Sequence, residues 1–265
     1  RRRLGLLTGP TDFPYSNNIV NGIGEVTKKN DITLITFVLI YDINLQHFKT
    51  EIFDLVDIHQ LDGLIISGSF SNDVTEDTYN DMCRHFSEIP VTTLGTKVPG
   101  IHSVLTDIGI GMEALMEHLL DYHQYKRIAF IGGPPGHQEA EERKDIFRSE
   151  MNKRGLTVRK EWIAHGNFQP QSGEEAMEKL LHNEDQEFEG VVVANDEMAF
   201  AALHHLEFRG YRVPQDKFIT GFDDFYNYRL TTVKQSVFKQ AKEAAADMLK
   251  RLNGETVSEL RKIPS

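Results

Sequence analysis

The chain has 265 residues, of which 40% are hydrophobic and 26% are charged, a composition typical of a folded globular protein. This length is too great for one small core and fits two lobes of ordinary size or one large α/β domain. The 29 Lys and Arg residues against 40 Asp and Glu residues give a net charge of −11. That charge opposes broad contact with nucleic acid or with an anionic membrane surface.

Export and membrane signals are absent from the sequence. No apolar run approaches the roughly 18 residues of a membrane span, and the apolar stretch after Arg1-Arg2-Arg3 is too short for a signal peptide. The one cysteine, Cys83, cannot form an internal disulfide, so nothing indicates an oxidising compartment. We therefore expect a cytoplasmic protein. Because the chain begins without Met and ends at Ile263-Pro264-Ser265 without a helix stop, we also expect a fragment of a longer protein.

The first half of the chain alternates strand-like apolar runs with helix-like stripes, the pattern of repeated βα units. Met112, Leu115, Met116, Leu119 and Leu120 continue it, because they recur at the spacing of one helix face. The predicted elements before them are buried strands at 4–7, 33–38, 63–67 and 90–94 and helices at 16–29 and about 75–86.

The second half repeats the pattern after a junction near residues 122–126. Ser172-Gly173-Glu174-Glu175 matches a capping box at the start of one helix. The predicted elements are strands at 127–131, 190–194 and 218–221 and helices at 138–154, 171–182, 196–209 and 239–252.

These elements predict an α/β fold of two lobes, each a mostly parallel sheet flanked by helices. We expect residues 1–123 with 237–253 in the N-terminal lobe and residues 124–236 with 254–265 in the C-terminal lobe. In such sheets ligands bind beyond the carboxyl ends of the strands, so the loops there are the places to search.

Motifs for enzyme chemistry are weak. Gly132-Gly133-Pro134-Pro135-Gly136 lacks both the phosphate-loop ending and the dinucleotide-binding spacing, and Gly22-Ile23-Gly24 lies within a helical stripe. No G-x-S-x-G elbow is present, and Cys83 accompanies Tyr79 and Phe86 on a helix, which favours a buried thiol over a nucleophile. We expect no cofactor and no enzyme activity.

The histidines also fail to predict a metal site. His118 and His123 are five residues apart and His204 and His205 are adjacent, so neither pair has the spacing that places two ligands on one face of an α-helix. We expect these histidines to face solvent.

Polar residues at the ends of predicted strands are more informative. Asn195 and Asp196 follow one apolar run, Asp223 and Asp224 follow another, and Asp107 follows a third. Each is also consistent with simply capping the next helix. Arg143 comes shortly after the turn that follows Ile131.

Together these residues suit a ligand with many hydroxyl groups or a heterocycle. Carboxylates accept hydrogen bonds from hydroxyls, Arg143 donates as a fork, and an aromatic face such as that of Phe13, Tyr15 or Phe168 covers a ring. The same carboxylates could serve acid–base chemistry, but no nucleophile or metal set accompanies them. Binding is the simpler interpretation.

The chain resembles the effector-binding part of the lac/gal repressor family, which has the periplasmic sugar-binding-protein fold. The resemblance runs along essentially the whole chain, with the blocks in the family's order. The matching residues are Val104-Leu105-Thr106-Asp107, Gly111, His118-Leu119-Leu120, Lys126 to Pro134, Arg143, Gly166-Asn167-Phe168, Gly173, Ala194 to Ala199, Gly210, Val213-Pro214, Gly221-Phe222-Asp223-Asp224 and Leu230 to Gln235.

The resemblance implies a ligand-binding cleft, lobe closure on binding the ligand, and homodimers. The chain as given does not include the family's helix-turn-helix head, so no nucleic-acid contact is expected from it, although a head upstream would bind DNA. The ligand-binding residues that the resemblance implies are Phe13, Tyr15, Ser69, Asp107, Arg143, Phe168, Asn195, Asp196, Asp223 and Asp224.

Three classes of function remain open. A non-enzymatic effector domain that senses a sugar-like or nucleoside-like molecule is favoured by the motif blocks. Gly136 to Arg143 and Leu34 to Phe37 further resemble the version of this domain that serves as the input module of bacterial diguanylate cyclases and sensor kinases. A solute-binding protein of a transport system shares the fold but needs an export signal. An enzyme on a similar scaffold is the third class.

Overall fold

The structure is a computed structural model, and it describes residues 1–39, 41–42, 47–48, 51–69, 76–182, 187–225 and 230–265. Two compact units form, one from Arg1–Thr106 with Ser236–Ile263 and one from Asp107–Gln235 with Pro264–Ser265. Each unit contains its own sheet with flanking helices. The predicted α/β fold class is therefore confirmed.

The elements are numbered along the chain. The strands are β1 (Arg3–Thr8), β2 (Thr33–Val38), β3 (Tyr41–Asp42), β4 (His47–Phe48), β5 (Gly63–Ser67), β6 (Val91–Leu94), β7 (His102–Asp107), β8 (Ile128–Gly132), β9 (Ile163–His165), β10 (Gly190–Val193), β11 (Phe218–Asp223), β12 (Thr231–Lys234) and β13 (Leu260–Pro264). The α-helices are α1 (Pro14–Lys29), α2 (Glu76–His85), α3 (Ile108–Glu117), α4 (Gln138–Lys153), α5 (Pro170–His182), α6 (Asp196–Phe208) and α7 (Val237–Leu252).

The main sheet of the first unit has the strand order β13-β7-β6-β5-β1-β2. The pairs from β7 to β2 are parallel. Helices α1 and α7 pack against each other, with α1 also on β1 and β2 and α7 also on β5 and β6. A separate apolar cluster contains Tyr79, Cys83 and Phe86, so Cys83 is the buried thiol that the sequence predicts.

The sheet of the second unit has the order β12-β11-β10-β8-β9, and all of these neighbours are parallel. Helices α5 and α6 pack together, as do α3 and α4. Phe130, Phe147 and Trp162 are fully or nearly fully buried in its core. Because parallel strands end at a common edge, the loops that follow β8, β10 and β11 are neighbours.

The unit boundaries differ from the predicted lobes in two places. Residues 107–123 belong to the second unit, because Ile108, Met112 and Met116 of α3 are buried in its core and α3 packs on α4. Residues 254–263 belong to the first unit, because β13 extends its sheet beside β7. Helix α7 also belongs to the first unit.

Two local predictions are wrong. The run at 33–38 forms β2, but every residue in it is only half-buried, since β2 lies at the edge of the sheet. No capping box forms at Ser172, because α5 already begins at Pro170, a favoured first residue of a helix. The Ser172 hydroxyl instead accepts from the Asn167 amide at 2.9 Å and donates to the Gln169 carbonyl at 2.7 Å.

Within the described residues, none of the helices has the length and apolar character needed to cross a membrane.

The α1–α7 contact generates a prediction about two glycines of one helix. A Cβ on Gly22 would lie 2.6 Å from the Phe238 carbonyl oxygen and 2.8 Å from the Ala241 Cβ, whereas a Cβ on Gly24 meets nothing within 4 Å. We expect Gly22→Ala to lower the free energy of unfolding of the first unit by about 1–3 kcal/mol, because the helices must separate. Gly24→Ala should raise it by about 0.5–1 kcal/mol through helix propensity.

Urea denaturation followed by far-ultraviolet circular dichroism measures both variants. Fluorescence of Trp162, the single tryptophan of the chain, serves as the internal control because it lies in the second unit. Equal changes in the free energy of unfolding for the two alanine variants would show that the close approach at Gly22 does not limit the packing of α1 on α7.

Candidate functional site

Polar side chains gather at the carboxyl edge of the second sheet. Asn195 follows β10, Asp223 ends β11, and Arg143 lies on α4, the helix that comes after β8. Phe168 lies in the loop between β9 and α5. We use the name Arg143 site for Glu139, Arg143, Phe168, Phe222 and Asp223.

The Arg143 guanidinium is the centre of this group. Its side chain is only 3% exposed. Nη1 donates to the Ala194 carbonyl at 3.2 Å and Nη2 donates to Glu139 Oε2 at 3.1 Å. The guanidinium carbon lies 4.1 Å from the centre of the Phe222 ring, a cation–π distance. Nε has no hydrogen-bond partner among the described residues, although it is buried.

Phe168 forms an aromatic wall beside the guanidinium. Its ring centre is 5.9 Å from the guanidinium carbon and 5.3 Å from the His137 ring, which meets it edge-on. A Cβ on Gly133 would come within 2.4 Å of this ring. The ring therefore fits beside the turn after β8 only because residue 133 is a glycine. The Phe168 backbone has φ of 68°, an unusual value for an aromatic residue.

Asp223 lies at the end of β11. It is buried, and its carboxyl group interacts with the charge of Arg143. Burial raises the pKa of this carboxyl well above its usual range, the Arg143 charge opposes the rise, and the charges of Asp196 and Glu139 add to it. Asp223 and Asp224 have φ of 131° and 55°, so the chain leaves β11 through two left-handed residues.

Both polar atoms of Asn195 are used within the protein. Oδ1 caps α6 by accepting from the Met198 amide at 3.1 Å, and Nδ2 donates to the Phe168 carbonyl at 3.0 Å. Asn195 therefore holds the Phe168 loop against the start of α6. Asn195 thus has the helix-capping role that the sequence also allows, and it contacts the Phe168 loop in addition.

Asp196 anchors the segment after β11. Its Oδ2 accepts from the Asp224 amide at 2.8 Å and its Oδ1 accepts from the Thr232 hydroxyl at 2.6 Å. Burial raises the pKa of Asp196, while these hydrogen bonds oppose the rise. Asp224 itself is exposed, and its backbone rather than its carboxylate joins the network.

Three residues near Arg143 are not identified as site residues from the sequence: Glu139, His137 and Phe222. Glu139 lies one helical turn before Arg143, and its Oε1 is buried without a hydrogen-bond partner among the described residues. Burial raises the pKa of Glu139, against the effect of Arg143. The four-residue spacing of Glu139 and Arg143, which places them on one helix face, could have identified this ion pair from the sequence.

His137 caps α4, and burial together with the Arg143 charge lowers its pKa to about 4, so it is neutral at pH 7. Nothing in the sequence singles out Phe222.

The predicted residues of the first unit gather around the ends of β1 and β5. Ser69 Oγ accepts from the Gly9 amide at 2.8 Å and from Ser67 Oγ at 3.0 Å. Phe13 precedes α1 and Tyr15 lies in its first turn, and both side chains are half-buried. These residues follow the same two parallel strands, so the structure brings them to one edge of the first sheet.

Asp107 stands at the start of α3 in the second unit. Its side chain does not cap the helix, and its carbonyl accepts from the Ser265 hydroxyl at 2.8 Å. The Ser265 hydroxyl also accepts from the Gly111 amide at 2.9 Å. The end of the chain is thus tied to the first turn of α3.

The double use of Asn195 generates a stability prediction. Asn195→Ala removes the cap of α6 and the bond to the Phe168 carbonyl, and we expect it to lower the free energy of unfolding of the second unit by about 1–3 kcal/mol. Asn195→Asp retains the capping oxygen and should lose less. Urea denaturation followed by Trp162 fluorescence measures both. If the two variants are equally destabilised, the cap at Met198 contributes nothing.

The comparisons with known proteins agree with this architecture. The model of the periplasmic binding protein-like domain matches residues 116–264. The HTH-type transcriptional repressor PurR of Haemophilus influenzae is 27% identical over 257 residues, which cover 95% of this chain and 74% of the repressor.

Two solved structures share the fold. A LacI family transcriptional regulator from Mycobacterium smegmatis has a TM-score of 0.84 at 23% identity, covering 98% of this chain and 94% of that one. A LacI family regulator from Enterococcus faecium with bound ribose has a TM-score of 0.78 at 23% identity, covering 99% and 95%. The chain belongs to the periplasmic binding protein-like domain family, and it has the fold of LacI family regulators, as the resemblance stated from the sequence predicts.

Proposed function

We propose that the chain senses a small, uncharged, hydroxyl-rich ligand of sugar or nucleoside type, and that the Arg143 site contacts it. The observation that carries the proposal is the set of polar groups left over around one buried guanidinium. Arg143 Nε and Glu139 Oε1 are buried without a hydrogen-bond partner among the described residues, and the Asp223 carboxyl group is buried within reach of the Arg143 charge. Unpaired buried polar groups are costly, so a ligand that pairs them gains affinity.

A hydroxyl group suits this mixture because it both donates and accepts. One ligand hydroxyl can accept from Arg143 Nε, and others can donate to Glu139 and Asp223. A sugar or a heterocycle also offers a flat or apolar face for the Phe168 ring. The positions of Phe168 and Arg143, 5.9 Å apart, support contact with one small molecule.

The charges around the site disfavour an anionic ligand. The pKa of Asp223 is raised by burial and by the neighbouring carboxylates of Asp196, Glu139 and Glu197. A phosphate group would add negative charge beside carboxyl groups whose ionised forms burial already disfavours, and a single guanidinium offsets only part of that cost. We therefore place uncharged sugars and nucleosides above their phosphorylated forms.

The relatives support a regulatory role. The repressor from Haemophilus influenzae is named as a transcriptional repressor, and the regulator from Enterococcus faecium holds ribose. We infer that this chain works without enzymatic turnover, in the cytoplasm, as one half of a homodimer. Phe13, Tyr15, Ser69 and Asp107 complete the proposed set of ligand-binding residues. Asn195, Asp196 and Asp224 belong to it through the loops and helix ends that they position.

The proposal predicts a large effect of Arg143 on affinity. Arg143→Gln removes one charge-assisted partner from a buried site, which costs about 2–5 kcal/mol and weakens binding by well over tenfold. Arg143→Lys keeps the charge but loses the planar fork, so it should also bind poorly. The matched control is Arg148→Gln, an exposed arginine on the same helix.

Thermal-shift screening uses D-ribose, cellobiose, adenosine and ribose 5-phosphate, and calorimetry measures each hit with all four proteins. Trp162 fluorescence confirms that the second unit of each variant is folded. An unchanged dissociation constant in both Arg143 variants would show that Arg143 serves only in its structural ion pair with Glu139. Preference for ribose 5-phosphate would overturn the charge argument.

Ligand-driven lobe closure is a further proposal, and it rests on the family resemblance. A ligand shifts a conformational equilibrium only by its differential affinity for the two forms, so residues of both units must contribute contacts. Small-angle scattering with and without a screened ligand should then show a smaller radius of gyration in the bound form. Binding with no change in the scattering curve would contradict closure.

A further inference from the structure

A π-helical turn brings two histidines together. The turn spans His118–Tyr122 directly after α3, and the His123 amide donates to the His118 carbonyl at 3.1 Å, a bond between residues five apart. In a regular α-helix, residues five apart point about 140° away from each other. The wider turn returns them to one face, and Nε2 of His118 lies 3.1 Å from Nε2 of His123. Both rings face solvent, as the sequence predicts, but the expectation that their spacing keeps them off one helix face is wrong.

Stacking aromatic rings hold the pair in place. Tyr122 stacks on His118 with ring centres 5.5 Å apart, and Tyr125 stacks on His123 at 5.4 Å. Tyr125 stacks in turn on Phe218 at 4.3 Å, and Phe218 is buried in the core of the second unit. The orientation of His123 is thus tied to the core, while both imidazoles remain open to solvent.

We propose that His118 and His123 form a two-imidazole chelate for a divalent transition-metal cation such as Zn²⁺, Ni²⁺ or Cu²⁺. Two nitrogens bound about 2.1 Å from one cation, at angles between octahedral and tetrahedral, are about 3.0–3.4 Å apart. The observed 3.1 Å lies in this range. Neutral imidazole suits these cations, and when both Nε2 atoms bind the cation, the hydrogen that one of them carries moves to Nδ1 of the same ring.

The remaining coordination positions go to water. Among the described residues, no group of three or more His, Cys, Asp or Glu side chains is arranged to hold a metal ion. The acidic residue within the π-helical turn, Asp121, accepts from Arg154 Nε at 2.7 Å and is occupied by that ion pair. The site is therefore an open, reversible one, unlike the closed four-ligand sites that hold structural zinc.

Calorimetric titration of the metal-free 265-residue chain with Zn²⁺ tests the proposal. We expect one Zn²⁺ per chain, with affinity reduced roughly tenfold or more in both His118→Gln and His123→Gln. The matched control is His204→Gln, an exposed histidine of the same unit whose ring packs on Phe200, and it should bind like the parent chain.

A second readout guards against misfolded variants. Nitrogen-detected NMR of the histidine side chains should show Zn²⁺ shifting the Nε2 resonances of His118 and His123 and no others. Unchanged affinity in both variants, or equal loss in His204→Gln, overturns the proposal. Shifts confined to other histidines overturn it as well.

Discussion

Burial of the Arg143 guanidinium is the constraint around which the carboxyl edge of the second sheet is organised. A cation taken out of water costs several kcal/mol unless its donors and its flat face are satisfied. The Ala194 carbonyl, Glu139 and the Phe222 ring satisfy the two terminal nitrogens and the flat face, from the end of β10, from α4 itself and from β11, while Nε has no partner among the described residues. The guanidinium thus links three elements that are distant in sequence. A shift of α4 along its axis would break the contacts with Ala194 and Phe222 together.

The strained backbone beside the guanidinium is held from several directions. Phe168, Asp223 and Asp224 each have positive φ, which costs non-glycine residues on the order of 1–3 kcal/mol. Asn195 fixes the first of these through the Phe168 carbonyl, and Asp196 fixes the last through the Asp224 amide. Two consecutive residues at the start of α6 therefore hold both loops. Such support from rigid elements keeps a binding site in one geometry before any ligand arrives.

The sequence predicts the element order well because periodicity reports burial, and burial decides strand and helix in a βα repeat. Periodicity does not say which core a helix joins. The stripe of α3 predicts an amphipathic helix, but only tertiary packing places Ile108 and Met112 in the second unit. The edge position of β2 is likewise a property of strand order rather than of its own residues.

The site shows the same division between pattern and packing. Strand-end polar residues are found where the sequence predicts them, yet capping and ligand binding use the same residue types. Only the hydrogen bonds of Asn195 and Asp196 separate the two roles. His118 and His123 lie side by side because one helical turn is wider than in an α-helix. Spacing rules for regular helices do not predict such a turn.

The interrupted first unit has a consequence for how the chain is made. Helix α7 covers α1 and the strands β5 and β6, and the Lys242–Glu25 contact between these helices joins residues 217 positions apart. During synthesis residues 107–235 emerge before α7 exists, so the second unit has nearly all of its sequence while the apolar face of α1 has no helical cover. Long-range closure of this kind is slow and leaves apolar surface exposed to aggregation. The apolar face of α1 therefore stays open to aggregation for as long as the ribosome is translating the second unit.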